Sequence, residues 1–215
     1  MKILVITTSL RAHSNSDALA AQFIRGAQDA GHEVETISLK DKDIRFCKGC
    51  LACQRGAVKQ MFLDGDCSKA RANESRDERA QALPSAAEAR PEVRVCVIKD
   101  DVAPIIQKMH DADAICFATP IYYYEMSGQM KTLLDRGNPL YTTDYKFRNI
   151  YMLTTAAEDE PYVPERAVAG LTGWIDCFEK ARLAGTVFVG GVNDPNEIEG
   201  NDKLKLAYEL GNGIK

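Results

Sequence analysis

The segment KILVITTSLRAHSNSDALA, from Lys2 to Ala20, decides the fold class of this 215-residue chain. Its first six residues form a run of branched apolar side chains between polar ones, which is typical of a strand buried on both faces. From Asp17 onward apolar residues recur at helical spacing, and Gly31 stands where a helix would end. Residues 32–39 then alternate as a second strand, so the chain opens with one right-handed βαβ unit.

The same alternation continues through the second half of the chain. Helical and buried-strand patterns follow one another in the stretches DDVAPIIQKMHDA, AICFAT, EMSGQMKTLLDR, NIYMLTT, PERAVAGLTGWIDCFEKARLA and GTVFVGGV. Five strands alternating with helices predict an α/β fold, a doubly wound parallel sheet with helices on both faces. Ligands of such sheets bind beyond the carboxyl ends of the strands, so functional residues are expected there.

Residues 54–94 interrupt this pattern. The segment is rich in Ala, Arg, Glu, Ser and Asp, contains Pro84 and Pro91, and has little continuous apolar pattern. A stretch of this length inside a compact domain is typically a functional lid or a disordered segment, although the alternating charges of residues 68–83 are compatible with a solvated helix. We therefore predict a single domain over residues 1–215 with an insertion at about 54–94.

Composition and charge exclude several classes of protein. The chain is 45% hydrophobic, carries a net charge of −4 and shows no basic stripe, which argues against nucleic acid as a partner. No run approaches the length of a membrane span, and the apolar start is too short for a signal-peptide core. Seven cysteines, an odd number, argue against a disulfide framework and favour a reducing compartment, so we expect a cytoplasmic protein.

The loop after the first strand offers donors suited to a phosphate. It supplies short hydroxyls, one amide and one guanidinium directly before a helix N-terminus, where free backbone N–H groups and the helix dipole favour an anion. These donors are Ser9, Arg11, Ser14, Asn15 and Ser16. No glycine occurs before Gly26, so the loop is neither a P-loop nor a Rossmann turn. The alternative is that Ser14 or Ser16 only caps the helix.

The third strand ends in TPIYYYEMSGQMKTLLDR, which begins at Thr119. Three consecutive tyrosines, Tyr122 to Tyr124, lie at the expected carboxyl edge of the sheet. Aromatic side chains can line a planar ring while their hydroxyls find polar partners, but aromatics also occur at subunit interfaces. The segment therefore predicts either a ring-binding wall or a dimer contact.

Together the stretches TSLRAHSNSDALA, CKGCLAC, CVIKDDV and ATPIYYYEMSGQMKTLLDR, in this order, resemble the flavodoxin-like NAD(P)H-dependent FMN reductases, a group that includes the iron–sulfur flavoproteins. The resemblance implies a flavodoxin-like sheet and a bound FMN whose phosphate lies in the serine-rich loop named above. It implies that the isoalloxazine ring is held by Thr119, Pro120, Ile121, Tyr122 and Tyr123, with Thr155, Ala156 and Ala157 as the opposite wall. This chain has Thr8 where the family usually has glycine.

The cysteine stretch can be compared with the same family. In iron–sulfur flavoproteins four closely spaced cysteines hold a [4Fe–4S] cluster. The resemblance implies Cys47, Cys50, Cys53 and Cys96 as ligands here, with Cys67 as a competitor, but 42 residues separate the third from Cys96. This spacing favours free or occasionally disulfide-linked thiols, while a cluster or a zinc site stays open.

The resemblance implies an FMN-dependent NAD(P)H oxidoreductase that passes hydride from a nicotinamide through bound FMN to a small acceptor such as a quinone or a flavin. Because the flavin carries the chemistry, no catalytic side chain is expected. The alternative is an iron–sulfur flavoprotein that carries electrons without nicotinamide turnover; a metal-binding or regulatory module without FMN is a third possibility. Relatives suggest a homodimer or homotetramer, and we expect no membrane or nucleic-acid partner.

Overall fold

The computed structural model describes residues 1–54, 93–141 and 143–215. The chain divides into two compact units: one comprises residues 1–42, 111–131 and 146–215, the other residues 43–110 and 132–145. Most of the predicted insertion, and with it Cys67, lies outside the described residues, so the single-domain organisation stays a prediction.

The first unit contains the sheet. Its strands are β1 Lys2–Thr7, β2 Glu33–Ser38, β3 Ala114–Tyr122, β4 Glu125–Met126, β5 Asn149–Thr155 and β6 Arg182–Val189. The parallel strands are ordered β2-β1-β3-β5-β6, and β4 pairs antiparallel with the end of β3. This order is the flavodoxin-like one: β2 is added on one side of β1, and β3, β5 and β6 are added on the other side. The predicted five-stranded parallel sheet is therefore confirmed, and the short β4 is an addition.

The helices of the described residues are α1 Asn15–Asp29, α2 Val102–Asp111, α3 Gly128–Asp135, α4 Glu165–Ile175 and α5 Lys203–Asn212. Alternate residues of the strands pack with α1 and α5 in one core that includes Val5, Phe23 and Cys116. The next residue, Phe117, points to the opposite face of the sheet, where it packs edge-on against Trp174 of α4. Helices thus flank both faces, as predicted.

Helices α1 and α5 approach each other closely through a pair of glycines. A Cβ added at Gly26 would overlap the backbone oxygen of Tyr208, and one added at Gly211 would overlap that of Phe23. This contact places the C-terminal helix directly on the helix that follows β1. The helical pattern of residues 203–212 was not part of the sequence prediction, and it completes one face of the sheet.

The predicted helix over residues 164–184 is too long. Helix α4 ends at Ile175, and β6 begins already at Arg182, within the stretch expected to be helical. The first half of this edge strand, Arg182–Gly185, is partly exposed and has no continuous apolar run, so it lacks the pattern of a strand buried on both faces. Residues from Arg182 onward form a strand because they pair with β5, beginning with Arg182 opposite Asn149.

The described helical parts of the second unit are α2 up to His110, the end of α3 from Thr132, and two single turns, Ala52–Gln54 and Asn138–Leu140. Gln54 Nε2 donates to the carbonyl of Asn138 at 3.3 Å, which joins the two turns. No helix in the described ranges has the length and apolar character that crossing a bilayer requires.

Candidate functional site

A cavity of about 600 Å³ opens in the first unit at the carboxyl ends of β1, β3 and β5. We call it the strand-end cavity. Its volume falls in the range of small-molecule and cofactor sites. It is lined by Ser9, Arg11, Ser14, Asn15, Ser16, Pro120, Ile121, Tyr122, Tyr123, Thr155, Ala156, Ala157, Val192 and Asn193. The structure thus brings together every predicted cofactor-binding residue except Thr119.

One end of the cavity is formed by the loop before α1. Ser14 caps the helix, because its hydroxyl accepts a hydrogen bond from the backbone N–H of Asp17 at 3.1 Å. The same hydroxyl lies 3.1 Å from that of Ser16, and Ser9 Oγ accepts from the backbone N–H of Arg11 at 3.3 Å. Ser14 therefore both caps the helix and lines the cavity.

Asp17 follows in the first turn of α1. Burial raises the pKa of its carboxyl, against hydrogen bonds from Ser14 and Thr7 that lower it.

The loop is tied to residues 193–198 near the end of the chain. Asn15 Nδ2 donates to the carbonyl of Asp194 at 2.9 Å, and its Oδ1 accepts from the N–H of Ile198 at 3.2 Å. Arg11 Nη1 donates to the carbonyl of Asn193. The Asn15 amide is thus engaged at both ends by the protein, and it positions the second loop against the first.

Val192 and Asn193 line the cavity but were not predicted. They follow β6, so searching the carboxyl end of that strand would have found them. Backbone N–H groups of Asn193 and Asp194 donate to Glu197 at 2.6 and 2.8 Å, and these bonds lower the pKa of the Glu197 carboxyl. The carboxylate thereby fixes the turn that carries Asn193.

Thr119 lies behind the cavity wall in a cluster of buried hydroxyls. Its Oγ1 accepts from the backbone N–H of Ser127 at 3.1 Å, and its single hydrogen can be donated to Ser127 Oγ or to the carbonyl of Pro120, each at 3.1 Å. Thr8 Oγ1 lies 2.9 Å from the same Ser127 hydroxyl. The threonine that replaces the family's usual glycine therefore has a partner away from the cavity lining, and Thr119 supports the wall without lining it.

A second part of the cavity lining comes from the hairpin of residues 121–126, which we call the aromatic hairpin. Its two turn residues, Tyr123 and Tyr124, have φ values of 50° and 65°, a left-handed conformation that favours glycine or asparagine. Tyr123 is 98% exposed. Strained backbone of this kind tends to occur at functional sites. The turn places an aromatic ring at the rim of the cavity.

Tyr124 connects this hairpin to the loop after β5. Its hydroxyl donates to Glu158 at 3.0 Å, a bond that raises the pKa of the Tyr124 phenol. Its ring lies 6.2 Å from that of Tyr162 and 5.9 Å from the guanidinium of Arg166. A Cβ at Gly190 would overlap the backbone at Glu158, so this loop also needs a glycine on its other side. The aromatic hairpin and the loop after β5 are therefore joined by side-chain contacts.

The arrangement combines two chemistries in one cavity. Hydroxyls, a guanidinium and a helix N-terminus suit a phosphate, whereas aromatic and small apolar side chains suit a flat ring. A ligand with a phosphate at one end and a planar ring at the other matches both ends.

A separate group of side chains forms a recess in the second unit, the cysteine recess. It is lined by Cys47, Lys48, Cys50, Leu51, Cys53, Cys96, Ile98, Asp135, Arg136 and Asn138. All four predicted metal-ligand cysteines thus face one recess as free thiols. Within the described ranges, no three Cys, His, Asp or Glu side chains converge on a single metal position as they stand.

The thiols of this recess are partly or wholly buried, and Cys47 has N–H donors beside it. Burial, followed by the charges of Cys96, Cys50 and Cys47, raises the pKa of the Cys53 thiol to about 12. Cys47 Sγ accepts hydrogen bonds from the N–H of Gly49 at 3.4 Å and from Asn138 Nδ2 at 3.7 Å. Gly49 has φ +61°, a left-handed conformation that glycine adopts without strain.

A buried ion pair stands beside the thiols. Arg136 Nη1 and Nη2 donate to the two carboxylate oxygens of Asp100 at 2.6 and 3.0 Å, and both side chains are almost wholly buried. Burial alone would lower the pKa of the guanidinium, but Asp100 and the nearby Cys96 raise it. No sequence signal pointed to this pair.

Comparison with known proteins finds curated relatives that are named iron–sulfur flavoproteins. The chain is 32% identical over 149 residues to an iron–sulfur flavoprotein of Archaeoglobus fulgidus, covering 69% of this chain and 55% of that protein. It is 29% identical over 140 residues to an iron–sulfur flavoprotein of Methanocaldococcus jannaschii, covering 65% and 53%. The chain therefore spans about half the length of these curated relatives.

Among solved structures, an azoreductase from Bacillus anthracis superposes with a TM-score of 0.61 over 99% of both chains, at 15% sequence identity. At this identity the likeness concerns the fold alone. The model of the family described as NADPH-dependent FMN reductase matches residues 1–160, which carry the serine-rich loop, the four cysteines of the recess and the aromatic hairpin. The chain thus belongs to the NADPH-dependent FMN reductase family.

Proposed function

We propose that this chain binds FMN in the strand-end cavity and is an oxidoreductase that passes hydride from NAD(P)H to a small acceptor. The observation that carries the proposal is that one cavity is lined both by hydroxyls and a guanidinium and by aromatic side chains. Membership of the FMN reductase family supports the same ligand.

The phosphate end is assigned to the loop before α1. The hydroxyls of Ser9, Ser14 and Ser16 and the guanidinium of Arg11 line this end, and the first N–H groups of α1 add donors. Asn15 acts through the loop at residues 193–198, since its amide is bonded there on both sides. The phosphate would thus be held by both charge and hydrogen bonds.

The ring end is assigned to two walls. Pro120, Ile121, Tyr122 and Tyr123 form one, and the segment Thr155–Ala157 forms the other. The hydroxyl of Thr119 fixes the first wall through Ser127. Small side chains on one side leave room for a second flat molecule, and aromatic ones on the other exclude water from a ring.

When bound, FMN supplies the hydride chemistry between a reduced nicotinamide and the acceptor. The protein positions the ring and shapes access to it, so we assign no catalytic side chain. An acceptor such as a quinone or another flavin is flat, as the aromatic rim favours. The assembly is proposed to be a homodimer or homotetramer, which size-exclusion chromatography would measure.

The test separates the phosphate end from the ring end. FMN and riboflavin are titrated into the flavin-free chain and into Arg11→Ala, with flavin fluorescence as the readout. Because riboflavin has no phosphate, Arg11→Ala is expected to weaken FMN binding at least about tenfold, as loss of a charge-assisted bond implies, and to leave riboflavin binding nearly unchanged.

The matched control is Arg25→Ala on α1, whose guanidinium lies over Tyr208 and does not line the cavity. It should bind both flavins like the unchanged chain. Equal losses of FMN and riboflavin in Arg11→Ala, or no loss of either, would contradict the assigned anchor. Anaerobic bleaching of the flavin by NADPH or NADH then tests the nicotinamide.

A second candidate function is supported by the cysteine recess. Four thiols on one recess, with N–H donors to Cys47, suit a [4Fe–4S] cluster, whose thiolates lie farther apart than those around one ion. Together with the flavin site, such a cluster would make the chain an electron carrier without nicotinamide turnover, and two curated relatives are named iron–sulfur flavoproteins.

Anaerobic purification followed by measurement of FMN, iron and acid-labile sulfide per chain distinguishes the two functions. Flavin without iron, bleached by a reduced nicotinamide, favours the oxidoreductase with free thiols. Iron and sulfide in equal amounts, with no nicotinamide oxidation, favours the electron carrier.

A further inference from the structure

Arg136 ends the segment SGQMKTLLDR, and the strand-end cavity does not use it. Its side chain is 1% exposed, and its Nε has no hydrogen-bond partner among the residues that the structure describes. A buried cation with an unpaired donor is costly unless it serves a neighbouring group. The groups around Arg136 are Asp100 and the lining of the cysteine recess.

The Arg136–Asp100 pair joins the two stretches that carry Cys47 and Cys96. Arg136 Nη1 donates to the carbonyl of Arg45 at 2.6 Å, and Asp100 Oδ2 accepts from the N–H of the same residue at 3.0 Å. Arg45 closely precedes Cys47, and Asp100 closely follows Cys96. One buried ion pair therefore brings together cysteines that are far apart in the chain.

The same short segment contacts two of the thiols. Asn138 Nδ2 donates to Cys47 Sγ at 3.7 Å, while the Arg136 guanidinium interacts electrostatically with Cys96. Donors and charges of this kind around thiolate ligands orient them and stabilise their negative charge. Arg136 and Asn138 thus bring a positive charge and an N–H donor to the recess, whose lining also includes the carboxylate of Asp135.

We propose that Arg136 is a positioning residue of a four-thiolate site, which holds Cys96 against the other three cysteines and offsets the charge of thiolates that bind a soft metal or an iron–sulfur group. The proposal rests on the second candidate function, in which these thiolates are ligands. Because the bonds to Asp100 and Arg45 need the planar fork of a guanidinium, lysine cannot make all of them.

The test uses Cd²⁺ as a probe of the thiols in the reduced, metal-free full chain. Thiolate-to-cadmium absorbance reports both affinity and the number of thiolates bound. Arg136→Lys is expected to lower Cd²⁺ affinity about 10–100-fold, which is the usual cost of losing a supporting residue around a metal site. FMN binding, measured on the same samples, should be retained.

Lys48→Gln is the comparator, since it removes a cation from the same recess and leaves the bonds between the two stretches intact. It should weaken Cd²⁺ binding much less than Arg136→Lys does. Equal weakening by the two variants, or no weakening by Arg136→Lys, would overturn the positioning role. Arg136→Lys keeps a cation beside Asp100, so the test does not depend on variants that leave this carboxylate unpaired.

The unchanged chain separates this proposal from the function on which it rests. Uptake of Cd²⁺ by four thiolates without uptake of iron and sulfide would reject the cluster and leave the positioning role to be judged by the variants. Cys96→Ser that binds Cd²⁺ as tightly and to the same extent as the unchanged chain would reject the four-thiolate site itself, whatever number of ions the thiols hold.

Discussion

The strand-end cavity and the cysteine recess differ in what holds their walls together. The cavity is lined by residues that follow β1, β3, β5 and β6, and the hydrogen-bond ladders of the sheet fix where those strands end. The recess is lined by loops and single helical turns, and the Arg136–Asp100 pair joins its segments. Backbone pairing fixes the strand ends of the first site, and side-chain bonds such as those of Asn15 hold its loops. The second site has no ladder among its described segments, and a buried ion pair is the strongest of the side-chain bonds that join them.

Such a difference has an energetic consequence. The backbone hydrogen bonds of a sheet share the stabilisation among many weak bonds, so the loss of one side chain lowers the free energy of unfolding only a little. A buried ion pair concentrates its support in two residues, and removing either leaves an uncompensated charge. The recess should therefore respond to single substitutions much more strongly than the cavity.

The largest effect is expected from Asp100→Ala. It leaves the buried Arg136 guanidinium without its partner and should lower the free energy of unfolding by about 3–5 kcal/mol, as measured by urea denaturation. The control is Asp43→Ala, whose exposed carboxylate pairs with Arg45 and should change stability by only about 0.5 kcal/mol. Similar losses in the two variants would remove the contrast between buried and exposed pairs.

The same pair predicts a dependence on pH. Burial alone would raise the pKa of Asp100, but hydrogen bonds from Arg136 and from two backbone N–H groups lower it. Since the unfolded carboxyl titrates near about 3.9, the stabilisation is present above that pH and is lost as pH falls through the lower folded value. Below about pH 4 the unchanged chain should therefore lose stability more steeply than Asp100→Asn, which cannot titrate there. Parallel slopes would contradict a lowered pKa.

A smaller loss is expected at the cavity from Ser127→Ala. The substitution removes the hydroxyl that contacts Thr8 and Thr119; Thr119 keeps the carbonyl of Pro120, whereas the buried hydroxyl of Thr8 loses its partner, which should cost about 1–3 kcal/mol in denaturation experiments. Ser38→Ala is the control, because this serine is exposed. A loss as large as that of Asp100→Ala would mean that the cavity also depends on single side chains.

The smallest effect, and the only gain, is expected from Tyr123→Gly. Glycine relieves the left-handed backbone of the turn and should raise stability by about 1 kcal/mol, visible as a higher melting temperature. Tyr122→Gly lies before the strained turn and should not be stabilising. If Tyr123→Gly destabilises the chain, the ring contributes more than the strain costs.

The contrast between the sites also explains what the sequence could predict. The runs at Lys2–Thr7 and Asn149–Thr155 predicted their strands, because strands buried on both faces leave an unbroken apolar pattern. The cofactor-binding residues were predicted because the loop and hairpin follow such strands directly. Contact with FMN stays a prediction, but the shared cavity is observed.

The features that could not be predicted depend on contacts between residues far apart in the sequence. The edge position of β6 and the packing of α5 through Gly26 are tertiary facts, and so is the bond from Asn15 to residue 194. The Arg136–Asp100 pair is of the same kind, since nothing in a local pattern identifies two charges that will be buried together. The preference for free thiols over a cluster stays a prediction.

The bonds from Arg11 and Asn15 to residues 193 and 194 matter for anyone who would shorten this protein. The region that matches the family ends at residue 160, and a fragment cut there would keep every serine of the loop. It would lack the strand, turn and helix against which that loop is braced. Transplanting the strand-end cavity into another scaffold therefore requires residues 161–215 as well as the loop after β1.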